Sequence, residues 1–303
     1  MNVLVTGHTG FFGNYIAEYF LEKNHNVFGV SRSIKADCKY NQYSLDITDN
    51  KKLCQLVREK CIDLIVHAAA KPIVADCDLD PYNAFTINSL GTASVLESAR
   101  QAKCKKVIII ETDKVYGNQG MLPTTEDAPL NPNSPYELSK ALGSQFCDFY
   151  RSHYNMDVVS VRPVNLFGPN DFSYSRIIPA AMRSISLNKG IPLHSNGEKI
   201  YRTFLYVKDA TKMVYLLATN KTNYSTYNLS SQETWSIKQL ADNIADSLDY
   251  NISHNTIEKP GDYNEIDYQF IDGSRFIKEF NFTFTPFKEA IKETYASYSY
   301  VKA

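Results

Sequence analysis

The chain has 303 residues and a formal net charge of −1 at pH 7. Its 32 basic and 33 acidic side chains nearly cancel and the basic ones are scattered, so we expect no binding to nucleic acid or to a membrane surface. The length suits one large domain, or a main domain with a smaller lobe.

The cysteines and the N-terminus indicate the cellular context. The six cysteines form no C-x-x-C pair, and no Cys/His cluster has the spacing of zinc ligands, so we expect reduced thiols and no metal site. The first residues lack the basic and apolar regions of a signal peptide, and no stretch approaches the roughly 18 apolar residues of a membrane span. We therefore expect a soluble, cytoplasmic protein.

Short apolar runs alternate with amphipathic segments through the first half of the chain. Strands are predicted at residues 2–7, 25–31, 61–70, 105–111 and 157–163. Helices are predicted at residues 12–24 and 49–60, and near Pro81–Ala102 and Pro135–Tyr154. The strands are continuous apolar runs, as expected when helices cover both faces of a sheet. This alternation predicts an α/β fold of the Rossmann type, with a doubly wound parallel sheet.

After about residue 165 the pattern loosens into turns, short strands and two further helix starts. We predict a Rossmann domain over residues 1–165 and a smaller C-terminal substrate-binding lobe over residues 166–303. The boundary is soft, because the chain can cross between the two lobes more than once.

The first predicted strand runs into the stretch TGHTGFFG, with glycines at Gly7, Gly10 and Gly13, and a predicted helix follows. A tight turn without Cβ atoms lets backbone N–H groups approach a pyrophosphate, and the helix N-terminus adds partial positive charge. Both the strand and the helix that this motif requires are present, so we predict a dinucleotide site. The alternative is a glycine-rich turn without a ligand.

The second predicted strand ends at Ser31, and Arg32 follows. Sites that prefer NAD usually carry an acidic residue here, which holds the ribose 2′-hydroxyl. A hydroxyl and a guanidinium suit a 2′-phosphate instead. NADP(H) is therefore the favoured cofactor and NAD(H) the alternative, in which Arg32 stacks on the adenine or points to solvent.

Two short stretches carry groups that can move protons. In YELSK, Tyr136 and Lys140 lie four residues apart and so on one face of a helix, where an ammonium group favours the phenolate. In ETDKVYG, directly after an apolar run, Thr112, Asp113 and Lys114 place a hydroxyl, a carboxylate and an amine side by side.

With these motifs the sequence resembles the short-chain dehydrogenase/reductase superfamily, specifically its extended branch of nucleotide-sugar epimerases and dehydratases. The resemblance covers nearly the whole chain. The further motifs that carry it are YSLDIT (43–48), IVHAAA (65–70), NSLGTASVLESAR (88–100), RPVNLFGP (162–169) and YRTFLYVKDA (201–210).

The resemblance implies the positions of the binding residues. Asp46 and Ile47 would flank the adenine, Ala68 and Ala69 would line the nicotinamide side, and Lys140 would bond the nicotinamide ribose. The full set of expected cofactor contacts is Gly7, Thr9, Gly10, Phe11, Phe12, Gly13, Ser31, Arg32, Asp46, Ile47, Ala68, Ala69, Tyr136 and Lys140. Asn165 and Arg202 would bind a nucleotide-diphosphate sugar.

The resemblance also implies chemistry. Thr112 would bond the reacting carbinol oxygen, and Tyr136 would take its proton as hydride leaves for the cofactor. Simple 4-epimerases usually have small neutral residues after the Ser or Thr, whereas Asp-Lys resembles the CDP-glucose 4,6-dehydratases. Asp113 would then protonate the departing C6 hydroxyl and Lys114 would remove the C5 proton, a role that needs a pKa lowered by burial to about 7–8. The alternative is that Lys114 forms a structural ion pair with Asp113 or Glu111.

We therefore predict a nucleotide-hexose 4,6-dehydratase, with a 4-epimerase or an NADPH-dependent 4-ketoreductase as alternatives. A non-catalytic nucleotide-binding protein is a rival from another class, although such proteins often lose the catalytic Tyr or Lys. By resemblance, the helices near 81–102 and 135–154 would form the interface of a homodimer. Relatives often have Arg-Asp where this chain has Arg202-Thr203. They also often have an Arg where this chain has Lys259, directly before PGD. The sequence therefore does not identify the nucleotide or the sugar of the substrate.

Overall fold

The computed structural model describes residues 1–194, 196–251, 254–257 and 267–298; Lys259 and the PGD that follows it lie outside these ranges. The strands are β1 (Asn2–Thr6), β2 (Asn26–Ser31), β3 (Asn41–Ser44), β4 (Leu64–His67), β5 (Lys106–Ile110), β6 (Val158–Pro163), β7 (Asn165–Phe167), β8 (Ile191–His194), β9 (Tyr201–Tyr206), β10 (Thr226–Leu229), β11 (Thr234–Ser236) and β12 (His254–Ile257). The helices are α1 (Phe11–Glu22), α2 (Asn50–Glu59), α3 (Val74–Leu79), α4 (Pro81–Ala84), α5 (Gly91–Ala102), α6 (Pro135–Tyr154), α7 (Ile177–Ser186), α8 (Val207–Thr219), α9 (Ile237–Ser247), α10 (Ser274–Phe280) and α11 (Phe287–Ala296).

A seven-stranded parallel sheet in the order β10-β6-β5-β4-β1-β2-β3 organises the first part of the chain. Its central strands are largely apolar, and every residue of β4 and β5 is buried, including His67 and Lys106. The strand order reverses between β1 and β4, so the carboxyl ends of these strands diverge at a topological switch point. The prediction of a Rossmann-type doubly wound sheet is confirmed.

The local structure differs from the prediction at three places. The helix expected near 81–102 is divided into α4, a π-helical turn at Phe85–Leu90, and α5. The short strand β3 and the six-residue helix α3 were not predicted. Strand β3 reads NQYS and is only partly buried, so no apolar run marks it in the sequence.

The chain divides into two compact units that alternate along the sequence. We call residues 1–117, 128–163 and 211–228 the first unit, and residues 118–127, 164–210 and 229–303 the second unit. Within the second unit, β11, β9 and β7 form a three-stranded sheet, and β12 pairs with β8. The role of the second unit as a substrate-binding lobe stays a prediction.

Each unit has its own apolar core. In the first unit, buried side chains of β1, β4 and β5 pack against α2 and α5. In the second unit, buried side chains of α7, α9 and α11 pack together with those of β8 and β9. Across the described ranges, the helices are too short or too polar to span a bilayer. The same ranges hold no group of three or more acidic, His or Cys side chains arranged to bind a metal ion.

Candidate active site

The glycine loop closes tightly on itself and on the end of β4. Gly7 has a φ of +71°, and a Cβ there would lie 2.6 Å from the backbone nitrogen of Ala69. A Cβ at Gly13 would overlap the carbonyl oxygen of Gly7. The backbone N–H of Gly10 donates to that same oxygen at 2.9 Å, and Gly10 is the N-cap residue of α1. This geometry fits a dinucleotide pyrophosphate, because the loop must stay free of Cβ atoms and ends at a helix N-terminus.

His8 anchors this loop, a role that the sequence analysis did not predict. Its side chain is fully buried and lies over Gly29 of β2, where a Cβ would come within 2.5 Å of the imidazole. Nδ1 lies 3.1 Å from the hydroxyl of Tyr40. Burial lowers the pKa of His8, and Lys35 adds to this, so the ring is neutral at pH 7.

The end of β2 lies beside the glycine loop. Ser31 is buried, and its Oγ accepts a long hydrogen bond of 3.4 Å from the backbone N–H of Thr9. Arg32 is exposed, and its carbonyl oxygen accepts from Ser44 Oγ at 2.9 Å. Phe11 and Phe12, in the first turn of α1, are partly buried.

The predicted adenine and nicotinamide positions lie after β3 and β4. The Asp46 carboxylate accepts from the backbone and hydroxyl groups of Thr48, and these bonds lower its pKa, with a smaller contribution from Arg32. The Ile47 side chain packs into the core, against the surface left open by Gly91. Ala68 and Ala69 are half-buried, next to Gly7.

Thr112, Asp113 and Tyr136 form one buried polar cluster at the end of β5. Thr112 Oγ1 donates to Asp113 Oδ1 at 3.2 Å. Burial raises the pKa of Tyr136, the nearby Thr112 hydroxyl lowers it, and the Asp113 carboxylate raises it again. The cluster thus joins a phenol, a hydroxyl and a carboxylate away from bulk water.

Lys140 lies one turn beyond Tyr136 on α6. Its Nζ is buried and donates to the carbonyl oxygen of Ile110 at 2.7 Å. Burial lowers the pKa of this ammonium group, whereas the carboxylate of Glu111 raises it. We expect that Lys140 favours the phenolate of Tyr136, and this stays a prediction.

Lys114 is half-buried in the short 3₁₀ turn Asp113–Tyr116 that follows Thr112. Its backbone N–H donates to Thr112 Oγ1 at 3.3 Å. On α6, burial raises the pKa of Glu137, the backbone N–H of Asn133 and the Lys114 amine lower it, and Asp113 raises it. Lys114 and Asp113 therefore share their surroundings with a second acid, Glu137, which the sequence analysis left unassigned.

The predicted substrate residues lie in the second unit, where they line one cavity of about 320 Å³. Asn165 Nδ2 donates to the carbonyl oxygen of Thr203 at 3.1 Å. Arg202 is largely buried in β9 and donates to the carbonyl oxygen of Tyr201 at 2.8 Å. Arg176 lines the same cavity and pairs with the buried Asp171, and the sequence analysis did not single it out.

A buried polar network supports the cluster from behind. Asn88 Nδ2 donates to Ser139 Oγ at 2.9 Å, and Ser139 donates to the carbonyl oxygen of Tyr136 at 2.7 Å. His67 bonds the hydroxyl groups of Thr6 at 2.7 Å and Thr92 at 3.2 Å. These side chains hold the α6 residues and the end of β4 in register. Their spacing carries no motif of its own, so only the fold identifies them.

Comparison with known proteins identifies the family to which this chain belongs. A family model described as "NAD dependent epimerase/dehydratase family" matches residues 3–230. The chain belongs to this family. The predicted membership of the nucleotide-sugar epimerase and dehydratase branch is confirmed, and the protein is an enzyme. Because the family depends on NAD, a nicotinamide dinucleotide is its cofactor; a preference for NADP stays a prediction.

Two of the similar proteins carry out different reactions. A UDP-glucose 4-epimerase of Mycolicibacterium smegmatis is 31% identical, covering 69% of this chain and 70% of its own. A dTDP-D-glucose 4,6-dehydratase of Homo sapiens is 27% identical, covering 86% of this chain and 78% of its own. A crystal structure of UDP-glucose 4-epimerase with UDP-glucose from Thermotoga maritima has a TM-score of 0.91 at 22% identity and full coverage of both chains, which shows a shared fold.

Proposed function

We propose that this protein is a 4,6-dehydratase of a nucleotide-linked hexose. The observation that carries the proposal is the buried cluster of Thr112, Asp113 and Tyr136, in which the Thr112 hydroxyl bonds Asp113 and lowers the pKa of Tyr136. Oxidation at C4 needs the Tyr and Thr of this cluster, whereas the adjacent carboxylate and amine are suited to removing water. One relative is a UDP-glucose 4-epimerase and another is a dTDP-D-glucose 4,6-dehydratase, and both support a nucleotide sugar as the substrate.

The first step oxidises C4 of the sugar. Thr112 holds the C4 hydroxyl, and Tyr136 takes its proton as general base. Lys140 supplies the positive charge that favours the phenolate. Gly7, Gly10, Gly13 and the start of α1 would hold the pyrophosphate of a nicotinamide dinucleotide, which would supply a hydride acceptor for C4 and a hydride donor for C6.

The second step removes water across C5 and C6. The C4 ketone acidifies the C5 hydrogen, because the carbanion delocalises into the carbonyl group. Lys114 takes that proton, and Asp113 protonates the departing C6 hydroxyl. Asp113 is buried, and its Oδ1 accepts from Thr112 Oγ1 at 3.2 Å, so its carboxyl group is held beside the hydroxyl that would bind C4.

The cavity in the second unit suits the nucleotide diphosphate. Arg202 and Arg176 both line it, and guanidinium groups bind phosphate oxygens through paired hydrogen bonds. Asn165 adds an amide at the same wall, and the rest of the lining is largely apolar, as nucleotide and cofactor sites are. The identity of the base and the sugar is a question for experiment.

A 4-epimerase is the second candidate, favoured by the relative from Mycolicibacterium smegmatis. The same Thr112, Tyr136 and Lys140 would oxidise C4, and Asp113 with Lys114 would only shape the pocket. A 4-ketoreductase would use the same three residues and consume NADPH stoichiometrically.

Mass spectrometry separates these reactions directly. The purified protein is incubated with GDP-, CDP-, UDP- and dTDP-hexoses, without added cofactor. A product lighter by one water with no net NADPH consumption supports the dehydratase. An unchanged mass with an altered sugar proton spectrum means an epimerase, and turnover only with NADPH and a 4-keto sugar means a ketoreductase.

The cofactor of this protein is proposed to be NADP(H). Ser31 and Arg32 occupy the end of β2, where sites that prefer NAD carry an acidic residue that would repel a 2′-phosphate. The variant Ser31→Asp is expected to lower the affinity for NADP relative to NAD by roughly 10–100-fold, the size of a lost charge-assisted hydrogen bond. Calorimetric titration of the cofactor-free protein with each dinucleotide measures this ratio. The control Ser33→Asp adds the same charge at an exposed site and should leave the ratio near the wild-type value. Tighter binding of NAD than of NADP by the wild-type protein would contradict the preference.

A homodimer is proposed through one face of the first unit. Leu90 before α5, and Leu138 and Phe149 on α6, are exposed apolar side chains, and two-fold symmetry would bury this face against its own copy. The double variant Leu138→Glu with Phe149→Glu is expected to be monomeric in sedimentation equilibrium. Leu187 in the second unit has the same 42% exposure as Leu138, so Leu187→Glu is the matched control and should stay dimeric. A monomeric wild-type protein would refute the dimer.

A further inference from the structure

The chain between β7 and α7 is irregular, and its last residue, Arg176, lies in the wall of the cavity in the second unit. We call residues 170–176 the connecting segment. Tyr174 and Ser175 of this segment line the same cavity. An irregular segment lacks the backbone ladder of a strand and the regular bonds of a helix, so other contacts must fix its position. The contacts that fix this segment therefore also shape the cavity.

The turn after α11, which consists of Ser297 and Tyr298, holds the start of the connecting segment. Ser297 Oγ accepts a hydrogen bond of 3.0 Å from the backbone N–H of Asn170. The hydroxyl of Tyr298 donates to the backbone carbonyl oxygen of Asp171. The ring of Tyr298 meets the ring of Phe172 edge-on, with 5.4 Å between their centres. Successive residues of the segment are thus each bound to this turn.

Tyr298 is a firm anchor, because it belongs to the core of the second unit. Its side chain is fully buried, in the same apolar cluster as Ile178 and Met182 of α7 and Ile291 of α11. Protein interiors are closely packed, so a large side chain in such a cluster has little freedom to move. The core therefore fixes Tyr298, and Tyr298 in turn fixes the connecting segment.

Asp171 links this anchored backbone to the guanidinium group of Arg176. The Asp171 side chain is 3% exposed, and its Oδ1 accepts from the backbone N–H of Ser173 at 3.2 Å and from Nη2 of Arg176. Nη1 of Arg176 donates to the carbonyl oxygen of Leu166 in β7 at 3.2 Å. A carboxyl oxygen accepts hydrogen bonds in both protonation states, so this link does not require an ionised Asp171. The guanidinium is thus held at the cavity wall by the connecting segment and by β7.

We propose that Ser297 and Tyr298 form a latch that fixes the connecting segment and thereby positions Arg176 at the cavity wall. Ser297 and Tyr298 are positioning residues, and Asp171 transmits their effect. The consequence for nucleotide binding rests on the proposed function, because Arg176 binds the diphosphate there. The order of the connecting segment is a property of the protein alone, so the two can be measured separately.

The variant Tyr298→Phe tests the latch, because it removes the hydroxyl and keeps the ring that packs in the core. Hydrogen–deuterium exchange of the purified protein is followed by mass spectrometry of the peptides that cover residues 170–176. Exchange in these peptides is expected to become about 3–10-fold faster, the size of one lost hydrogen bond. Tyr250→Phe is the matched control, because the Tyr250 hydroxyl also donates to a backbone carbonyl, that of Lys189, at 3.2 Å. It should leave exchange in residues 170–176 at the wild-type rate.

The consequence for binding is measured by calorimetric titration with UDP, CDP, GDP and dTDP. The variants are then compared with the diphosphate that the wild-type protein binds most tightly. Arg176→Ala is expected to weaken this binding by roughly 10–100-fold, and Tyr298→Phe by roughly 3–10-fold. In the double variant the loss should equal that of Arg176→Ala alone, because the latch acts through the guanidinium. If Tyr298 only stabilised the fold, the two losses would multiply.

Ser297→Ala removes the other hydrogen bond of the latch and should accelerate exchange in the same peptides, so it decides the test if Tyr298→Phe does not fold. Wild-type exchange of residues 170–176 in these variants overturns the proposal. Losses that multiply in the double variant also overturn it, as does a wild-type affinity in Tyr298→Phe when Arg176→Ala binds weakly. Faster exchange in a protein that binds none of the four diphosphates, or whose affinity Arg176→Ala leaves unchanged, supports the latch and contradicts the proposed function alone.

Discussion

Replacement Tyr136→Phe is expected to lower the rate of C4 oxidation by about 10³-fold, within the usual range for loss of a general base. The phenol is buried, so water has no direct access to replace it. The aromatic ring stays, so folding should be little changed. Single-turnover conversion of the nucleotide sugar, followed by mass spectrometry, measures the loss.

Tyr150→Phe is the matched control, because Tyr150 lies on the same helix and its hydroxyl donates to Glu97 at 3.2 Å. It should keep the wild-type rate. A Tyr136→Phe enzyme with a wild-type rate would show that another group takes the C4 proton, and the assignment of the whole cluster would then be wrong.

The expected pH dependence follows from the same cluster. Burial raises the pKa of the Tyr136 phenol, so the fraction of phenolate increases with pH and the rate of C4 oxidation should increase with it. Burial lowers the pKa of Lys140, so its supporting charge is lost as the pH rises. Because the two ionisations act on the rate in opposite directions, the rate of C4 oxidation should pass through a maximum as the pH is raised.

The fold could be predicted from the sequence because its central strands are continuous apolar runs between amphipathic helices. The glycine loop could be predicted for a physical reason as well, since Gly7 and Gly13 leave no room for a Cβ atom. The edge strand β3 was missed, because its polar residues are half exposed and carry no apolar pattern.

The polar contacts around the site could not be predicted. Glu111 contacts Arg162 and Ser144 only because β5, β6 and α6 lie side by side. No spacing pattern in the sequence predicts these contacts. Arg176 likewise reaches the cavity of Arg202 through the fold of the second unit. Residue types that recur in motifs could be assigned roles from the sequence, whereas partners contributed by separate elements needed the structure.

Lys114→Met is expected to slow water elimination strongly while C4 oxidation continues. Without its amine the C5 proton stays in place, and the rate of dehydration should fall by about 10²–10⁴-fold. The sugar should then be oxidised at C4 but keep its C6 hydroxyl. Quenching with borodeuteride should reduce the C4 ketone and give a sugar that has deuterium at C4 and as many oxygen atoms as the substrate. In D₂O, the wild-type enzyme should incorporate deuterium at C5 and the variant should not.

Lys105→Met is the control, since Lys105 is exposed before β5 and pairs with Asp63. Wild-type turnover without deuterium at C5, unaffected by Lys114→Met, would mean that the amine has no chemical role and that the enzyme is a 4-epimerase.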